Sequence, residues 1–234
     1  MTVANSTRTW LGCVLPVAWA ALLAGCGSTM SGHPVALSPT AVTRHVSAEL
    51  PMLLPDPVQF PAPYAAVVLP PEAAAQAAGD LDGTGRGASA QPSGCVAPEQ
   101  KFGPDQTAIA VGTDNDTRAT MTVELTRTDE PLASLRARLT RCGSVRVSRA
   151  GAVSTVTTEL DPPPPVDADD ALALRRTVAS EVGGARLTQS MRTLIGQVGD
   201  VRISVTYMSF AGEKPDTSAL DELFTAAVRK VRTR

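Results

Sequence analysis

Between Thr107 and Met208 apolar residues recur at every second position, in short segments broken by glycine, aspartate, asparagine and proline. A period of two places alternate side chains on opposite faces of a strand, so this half of the chain reads as a meander of antiparallel strands. Thr107–Val111 and Ala119–Leu125 flank the turn residues Gly112-Thr113-Asp114-Asn115-Asp116. Ala119, Met121, Val123 and Leu125 then face inward and Thr120, Thr122 and Glu124 outward, which predicts one wet face. Val145–Arg149 and Val153–Leu160 flank a turn at residues 150–151, and four prolines after Asp161 end that pair. Leu187–Val198 and Val201–Met208 meet at Gly199-Asp200, with Val201, Ile203, Val205 and Tyr207 on one face. Ala171–Val178 reads as helix or strand; Leu172 and Leu174 favour strand.

Helical spacing surrounds this core. Leu132, Leu135 and Leu139 form one stripe on a helix opened by Pro131 and ending at Cys142. A terminal helix begins near Pro215-Asp216-Thr217-Ser218. Its stripe is Leu220, Leu223, Phe224, Ala227, Val228 and Val231, and its end carries Arg229, Lys230, Arg232 and Arg234. Residues 70–78 predict a third helix, with proline at its start and Gly79 as its stop, followed by a loop over 80–91. Val46–Leu54 predicts a short helix punctuated by Pro51 and Pro55. Hairpin-connected strands with single-stripe helices define an α+β fold: an antiparallel sheet of about seven strands with helices packed on it. Apolar residues make up 43% of the 234, enough for such a core.

The first segment differs in kind. One basic residue, Arg8, precedes an apolar run from Trp10 to Leu23, about fourteen residues where a spanning helix needs about twenty. That length fits an export signal. The run ends in Leu23-Ala24-Gly25-Cys26, which resembles a bacterial lipobox. The resemblance implies cleavage before Cys26, a diacylglycerol thioether on Cys26 with palmitate-type acylation, and residence on the outer side of the cell membrane. The domains expected are a lipoprotein signal peptide over 1–25, a flexible tether over 26–45 and a folded domain over 46–234. About sixteen extended residues from Cys26 reach at most roughly 55 Å. A cytosolic chain with an apolar N-terminal helix leaves the polar spacer Gly27–Gly32 unexplained.

With Cys13 in the signal and Cys26 lipidated, an exported chain keeps Cys95 and Cys142, 47 residues apart, as an even pair expected to form a structural disulfide. No Cys-x-x-Cys redox pair occurs.

Catalytic constellations are scarce. His33 and His45 are the two histidines, one in the tether and one at its end, neither placed to meet a buried serine or cysteine. No Gly-x-Ser-x-Gly, Ser-x-x-Lys, His-Glu-x-x-His or Gly-x-x-x-x-Gly-Lys motif is present. Asp80 and Asp82 precede a glycine-rich stretch but lack the later ligands of a calcium loop. Asp114 and Asp116 bracket a turn, and Asp167, Asp169 and Asp170 with Asp161 read as a solvated loop rather than a cation site. No metal and no cofactor is expected, and no ligand-binding residue is assigned. Arg136, Arg138 and Arg141, with Arg175, Arg176 and Arg186, read as solvated arginines, with anionic phospholipid or cell-wall phosphate as a second reading. A net charge of −2 gives no reason to expect nucleic acid. Aromatics are only 3%, and Trp10 and Trp19 lie in the signal, which disfavours a stacking platform.

This order of features resembles the mycobacterial and actinobacterial lipoproteins whose exported domain is similar to the extracellular sensor domain of PknH-type kinases. The resemblance rests on Cys26, on Tyr64-Ala65-Ala66-Val67-Val68-Leu69-Pro70-Pro71, on Cys95 and Cys142, on Ala108–Thr113 with Ala119–Leu125, and on the terminal helix. It spans residues 61–234. The kinase domain carries two disulfides and a cleft; this chain has cysteines for one. The resemblance implies a non-enzymatic, sensor-like domain that binds a small lipid or cell-wall ligand, or an envelope protein. A carboxylate-dependent enzyme or accessory acting on envelope polymer is the alternative, and a purely structural surface lipoprotein is a third reading.

Overall fold

The computed structural model describes residues 42, 44–81, 87–96, 103, 105–149, 151–182, 185–210 and 215–234. The strands are β1 (Ala65–Val68), β2 (Ser89–Gln91), β3 (Thr107–Thr113), β4 (Thr120–Arg127), β5 (Ser144–Arg149), β6 (Ala152–Asp161), β7 (Asp170–Val182), β8 (Ala185–Val198) and β9 (Val201–Ser209). The α-helices are α1 (Leu50–Leu53), α2 (Pro71–Leu81), α3 (Leu132–Arg141) and α4 (Thr217–Arg232). All nine strands form one antiparallel sheet in the order β1-β3-β4-β9-β8-β7-β6-β5-β2. The α+β class read from the sequence is the class observed.

The seven expected strands are β3 to β9, and residues 171–178 lie in a strand. The two additional strands, β1 and β2, are the two edges of the sheet. Both are short, and an edge strand of three or four residues carries too few positions for a period of two to register. Helix α2 runs through Gly79, the expected stop, to Leu81. A mid-helix glycine costs about 1 kcal/mol relative to alanine, a small sum beside packing of Ala74 and Ala78 on Ile109. The helix expected over 46–54 is one turn, with Val46, Leu50, Leu53 and Leu54 all buried.

The connection between β4 and β5 organises the molecule. Strand β4 lies third in the sheet and β5 eighth, so α3 crosses one face before the meander from β5 to β9 returns to pair β9 with β4. The opposite face carries the main core. There Met121, Val123 and Leu125 of β4 and Val201, Ile203 and Val205 of β9 pack beneath α1 and α4. The predicted stripe of α4 is the buried stripe: Leu220, Leu223, Phe224, Ala227, Val228 and Val231 are each at most 1% exposed. Each such large apolar side chain contributes about 1.5–3 kcal/mol on burial. Asp216 caps α4 by accepting a hydrogen bond from the Ala219 N–H at 3.1 Å.

Gly199 and Asp200 make the two-residue turn between β8 and β9. Gly199 has φ +55°, and a Cβ there would lie 2.6 Å from the Arg44 carbonyl oxygen, so glycine is demanded both by conformation and by space. This turn is where the N-terminal segment docks: the Asp200 N–H donates to the Arg44 carbonyl at 2.8 Å, and the Val42 N–H donates to the Asp129 carbonyl at 3.3 Å. Among the described residues, contacts with the sheet therefore include the last residues of the expected tether.

Candidate functional site

The face expected to be wet is the face of interest. Helix α2 packs over β3, and α3 packs over β7 and β8 through Leu132, Leu172, Leu174 and Ile195. The two helices leave the middle of the sheet between them as the floor of a groove of about 860 Å³, well within the range of small-molecule sites. Thr122, Thr193 and Thr206, on the solvent-facing register of the strands, are consequently buried. The expectation of an open polar face is corrected here, because helices flank both sides of the sheet.

The groove floor changes chemistry across the strands. On β4 and β9 it presents Glu124, Thr126, Arg202, Ser204 and Thr206; on β7, β6 and β5 it presents Leu174, Val156 and Val145, with Arg176 and Thr158 as the polar members of that side. Leu135 and Leu139 of α3 overhang the apolar part. The Cys95–Cys142 disulfide closes that end, with Cα atoms 5.6 Å apart, packed against Ala90, Val145, Val147 and Val156. It joins the C-cap of α3 to the 3-10 turn Ser93–Cys95, as the even cysteine count predicts.

Glu130 organises the polar end. Its Oε1 accepts from Arg138 Nη1 at 2.7 Å and its Oε2 from Arg202 Nη1 at 3.1 Å, while Arg202 Nη2 donates to the Glu130 carbonyl at 2.7 Å. Arg202 Nε completes the cradle on Gln197 Oε1 at 3.3 Å. Burial pushes the Glu130 pKa up, but the hydrogen bonds and charges of Arg138 and Arg202 outweigh it, and the carboxyl sits below its usual value. Burial lowers the pKa of Arg202; Glu130 opposes the shift and the Arg138 charge adds to it. Thr193 and Thr206, cross-strand partners, share a hydrogen bond of 3.0 Å on the floor, and the hydroxyl of Ser204, two residues along β9, has no hydrogen-bond partner among the described residues.

One end of the groove is closed by an ionic knot around the β8–β9 turn. Asp200 Oδ2 meets His45 Nδ1 at 2.6 Å and Arg127 Nη1 at 3.0 Å, and its Oδ1 accepts from the Val46 N–H at 2.8 Å. Burial alone would raise the Asp200 pKa, yet these partners hold it below the usual carboxylate value. His45 is thus an anchoring residue, its side chain 65% exposed.

The aspartates on either side of the proline run are clamps. Asp169 accepts from the Gly199 N–H at 2.7 Å and from Arg44 Nη2 at 2.8 Å, and pairs with Arg232. Burial opposes ionisation, but these donors hold the Asp169 pKa down to about 2. Asp167 pairs with Arg232 at 3.1 Å, Asp170 with Arg136 at 3.1 Å and Asp161 with Arg175 at 2.9 Å. Among the described residues no group of three or more His, Cys, Asp or Glu is placed to hold a metal ion. Asp114 accepts from the Asp116 N–H at 2.9 Å and from Thr117 Oγ1 at 2.6 Å, a turn role.

Of the arginines read as a solvated set, Arg138 and Arg176 line the groove, whereas Arg136, Arg141 and Arg175 lie outside its lining. Arg138 turns into the groove, Arg136 reaches the Ala171 carbonyl at 2.8 Å, and Arg176 donates to the Leu81 carbonyl at 2.9 Å, tying β7 to the end of α2. Arg141 remains exposed. Cys26, His33, the signal, the tether up to residue 41, and Asp82 lie outside the described residues, as do the side chains of Asp80 and Arg186. No helix among the described residues is long and apolar enough to cross a membrane.

No family model matches the chain, and no curated protein matches it. Among solved structures, the chain is similar to an uncharacterized protein from Mycobacterium smegmatis, with 18% identity and a TM-score of 0.42 over 72% of this chain and 86% of the other. It is also similar to the extracellular domain of PknH from Mycobacterium tuberculosis, with 10% identity and a TM-score of 0.42 over 63% of this chain and 78% of the other. The kinase domain named by the sequence resemblance is therefore among the solved structures that this chain is similar to.

Proposed function

We propose that this chain is a lipid-anchored envelope protein, tethered to the outer side of the cell membrane through Cys26, whose 46–234 domain is a non-enzymatic binding module for a small envelope ligand. The observation that carries the reading is the groove of about 860 Å³ over β4, β9 and β8, polar at one end and apolar at the other. The lipobox and the single disulfide, a bond suited to an oxidising compartment, support export.

Hydrolysis through paired carboxylates is the competing reading, and it needs one acid whose pKa is raised so that it can donate a proton near neutrality. Glu130 and Asp200, both lining the groove, are shifted the other way by their arginine and histidine partners. Their ion pairs disfavour these two as proton donors; Glu124 and Asp129 are the other carboxylates of the groove lining. A purely structural lipoprotein, for its part, has no use for a groove of this size.

Native mass spectrometry of the chain released from its own membranes tests the proposal. A defined small-molecule adduct that is lost on unfolding is the expected result; an adduct-free chain with hydrolytic activity on envelope polymer overturns it.

A further inference from the structure

The groove has a direction. From β4 to β5 the floor crosses five inter-strand steps, about 24 Å. Its side chains pass from hydroxyls and paired charges on β4 and β9 to a mostly aliphatic surface on β7, β6 and β5, where the polar members, Arg176 and Thr158, are hydrogen-bonded to each other at 3.3 Å. An extended ligand lying across the strands meets hydrogen-bonding groups at one end and Leu135, Leu139, Leu174, Val156 and Val145 at the other. That gradient matches a molecule with a polar head and an apolar tail.

The polar end also constrains the head. Arg202 and Arg138 are drawn onto Glu130, and Arg202 directs three of its donors to Glu130 and Gln197. Glu124 lines the same end. The charges of Arg138 and Arg202 are balanced by those of Glu130 and Glu124, so this end offers neither an entering anion nor an entering ammonium an unpaired countercharge. What the floor leaves open is hydroxyl chemistry: Ser204 is without a partner among the described residues, and Thr193 and Thr206 use one hydrogen bond between them, leaving lone pairs free.

We infer that the groove takes a single-chain amphiphile with an uncharged, hydroxyl-bearing head, the head on β4 and β9 and the chain beneath α3 along β7 to β5. This rests on the binding reading above and names the ligand class. The ligand's apolar chain contributes burial, and its head contributes register through hydrogen bonds to the floor hydroxyls.

The test uses the full chain reconstituted in phosphatidylcholine nanodiscs with a long-chain monoacylglycerol carrying a diazirine at the tail end. Irradiation and peptide mass spectrometry locate the cross-link. It is expected within Leu132–Arg141 or Ala152–Asp161. Unlabelled monoacylglycerol is expected to compete at about tenfold lower concentration than the fatty acid or lysophosphatidic acid of the same chain length. Leu139→Gln, at a half-buried site, is expected to cut the cross-link about tenfold by removing apolar burial. Ser204→Val is expected to abolish the preference among heads while keeping the tail cross-link. Equal or stronger competition by the charged amphiphiles overturns the inference and leaves the groove as a binding site. Absence of a groove cross-link overturns it as well; if native mass spectrometry still shows an adduct, the binding reading survives, and if it shows none, both fall.

Discussion

Replacing Glu130 by glutamine removes the single anion shared by two guanidiniums, and the structure sets the size of the effect. The side chains of Arg202, Arg138 and Glu130 are 14%, 20% and 30% exposed, so solvent screens the two cations only in part. Breaking a fully buried pair costs about 3–5 kcal/mol; with this residual exposure, about 2–3 kcal/mol is expected for Glu130→Gln. Removing one of the two cations is a different perturbation. Arg138→Gln leaves the Arg202–Glu130 pair intact and is expected to cost at most about 1 kcal/mol. Urea unfolding of the two variants measures the asymmetry directly, and thermal unfolding should show Glu130→Gln lower by about 5–10 °C. The Glu130 pKa is depressed below its ordinary 4.5, so the carboxylate's stabilisation is present above pH 4.5 and lost as pH falls through the lower folded value. The difference between wild type and Glu130→Gln should therefore shrink on acidification. An Arg138→Gln cost equal to or above that of Glu130→Gln refutes the reasoning, because the cluster would then not be held by one shared charge.

Three further outcomes follow from the same geometry. Cys142→Ser opens a 47-residue loop and should cost up to about 4 kcal/mol in urea unfolding, with the same loss when the wild type is reduced. Asp169, whose pKa is held at about 2 against an ordinary 3.8, stabilises the fold above pH 3.8 and loses that contribution as pH falls toward 2. Its side chain is 41% exposed, so screening limits the effect to about 1 kcal/mol, and Asp169→Asn should flatten that part of an acid titration of stability. Gly199→Ala places a Cβ 2.6 Å from the Arg44 carbonyl at φ +55° and should cost about 1–3 kcal/mol; a neutral result in urea unfolding shows the turn to be more plastic than its packing implies.

Local pattern made most of the fold legible. The stripe of α4, the inward register of β4 and β9 and the Gly199-Asp200 turn are each decided by spacing within a few residues, and each is found where the pattern places it. The groove was not legible for a physical reason. Thr122 is polar at a register expected to face water, Thr193 and Thr206 join it on that face, and nothing local tells such residues that helices will flank them. Glu130, Arg202 and Ser204 were missed likewise, since β4 and β9 are far apart in sequence and only their pairing brings the loop after β4 against Arg202. Alternation of Glu124 with Thr126 and of Arg202 with Ser204 and Thr206 was the available signal. It marks one face of each strand, but only adjacency of the strands turns two polar stripes into one site.

Mass spectrometry of the N-terminal peptide from native membranes bears most directly on the central claim, that the groove works outside the cytosol on a lipid tether. The account predicts a peptide beginning at Cys26 with a thioether-linked diacylglycerol. A peptide retaining Met1, with Cys26 unmodified, contradicts it.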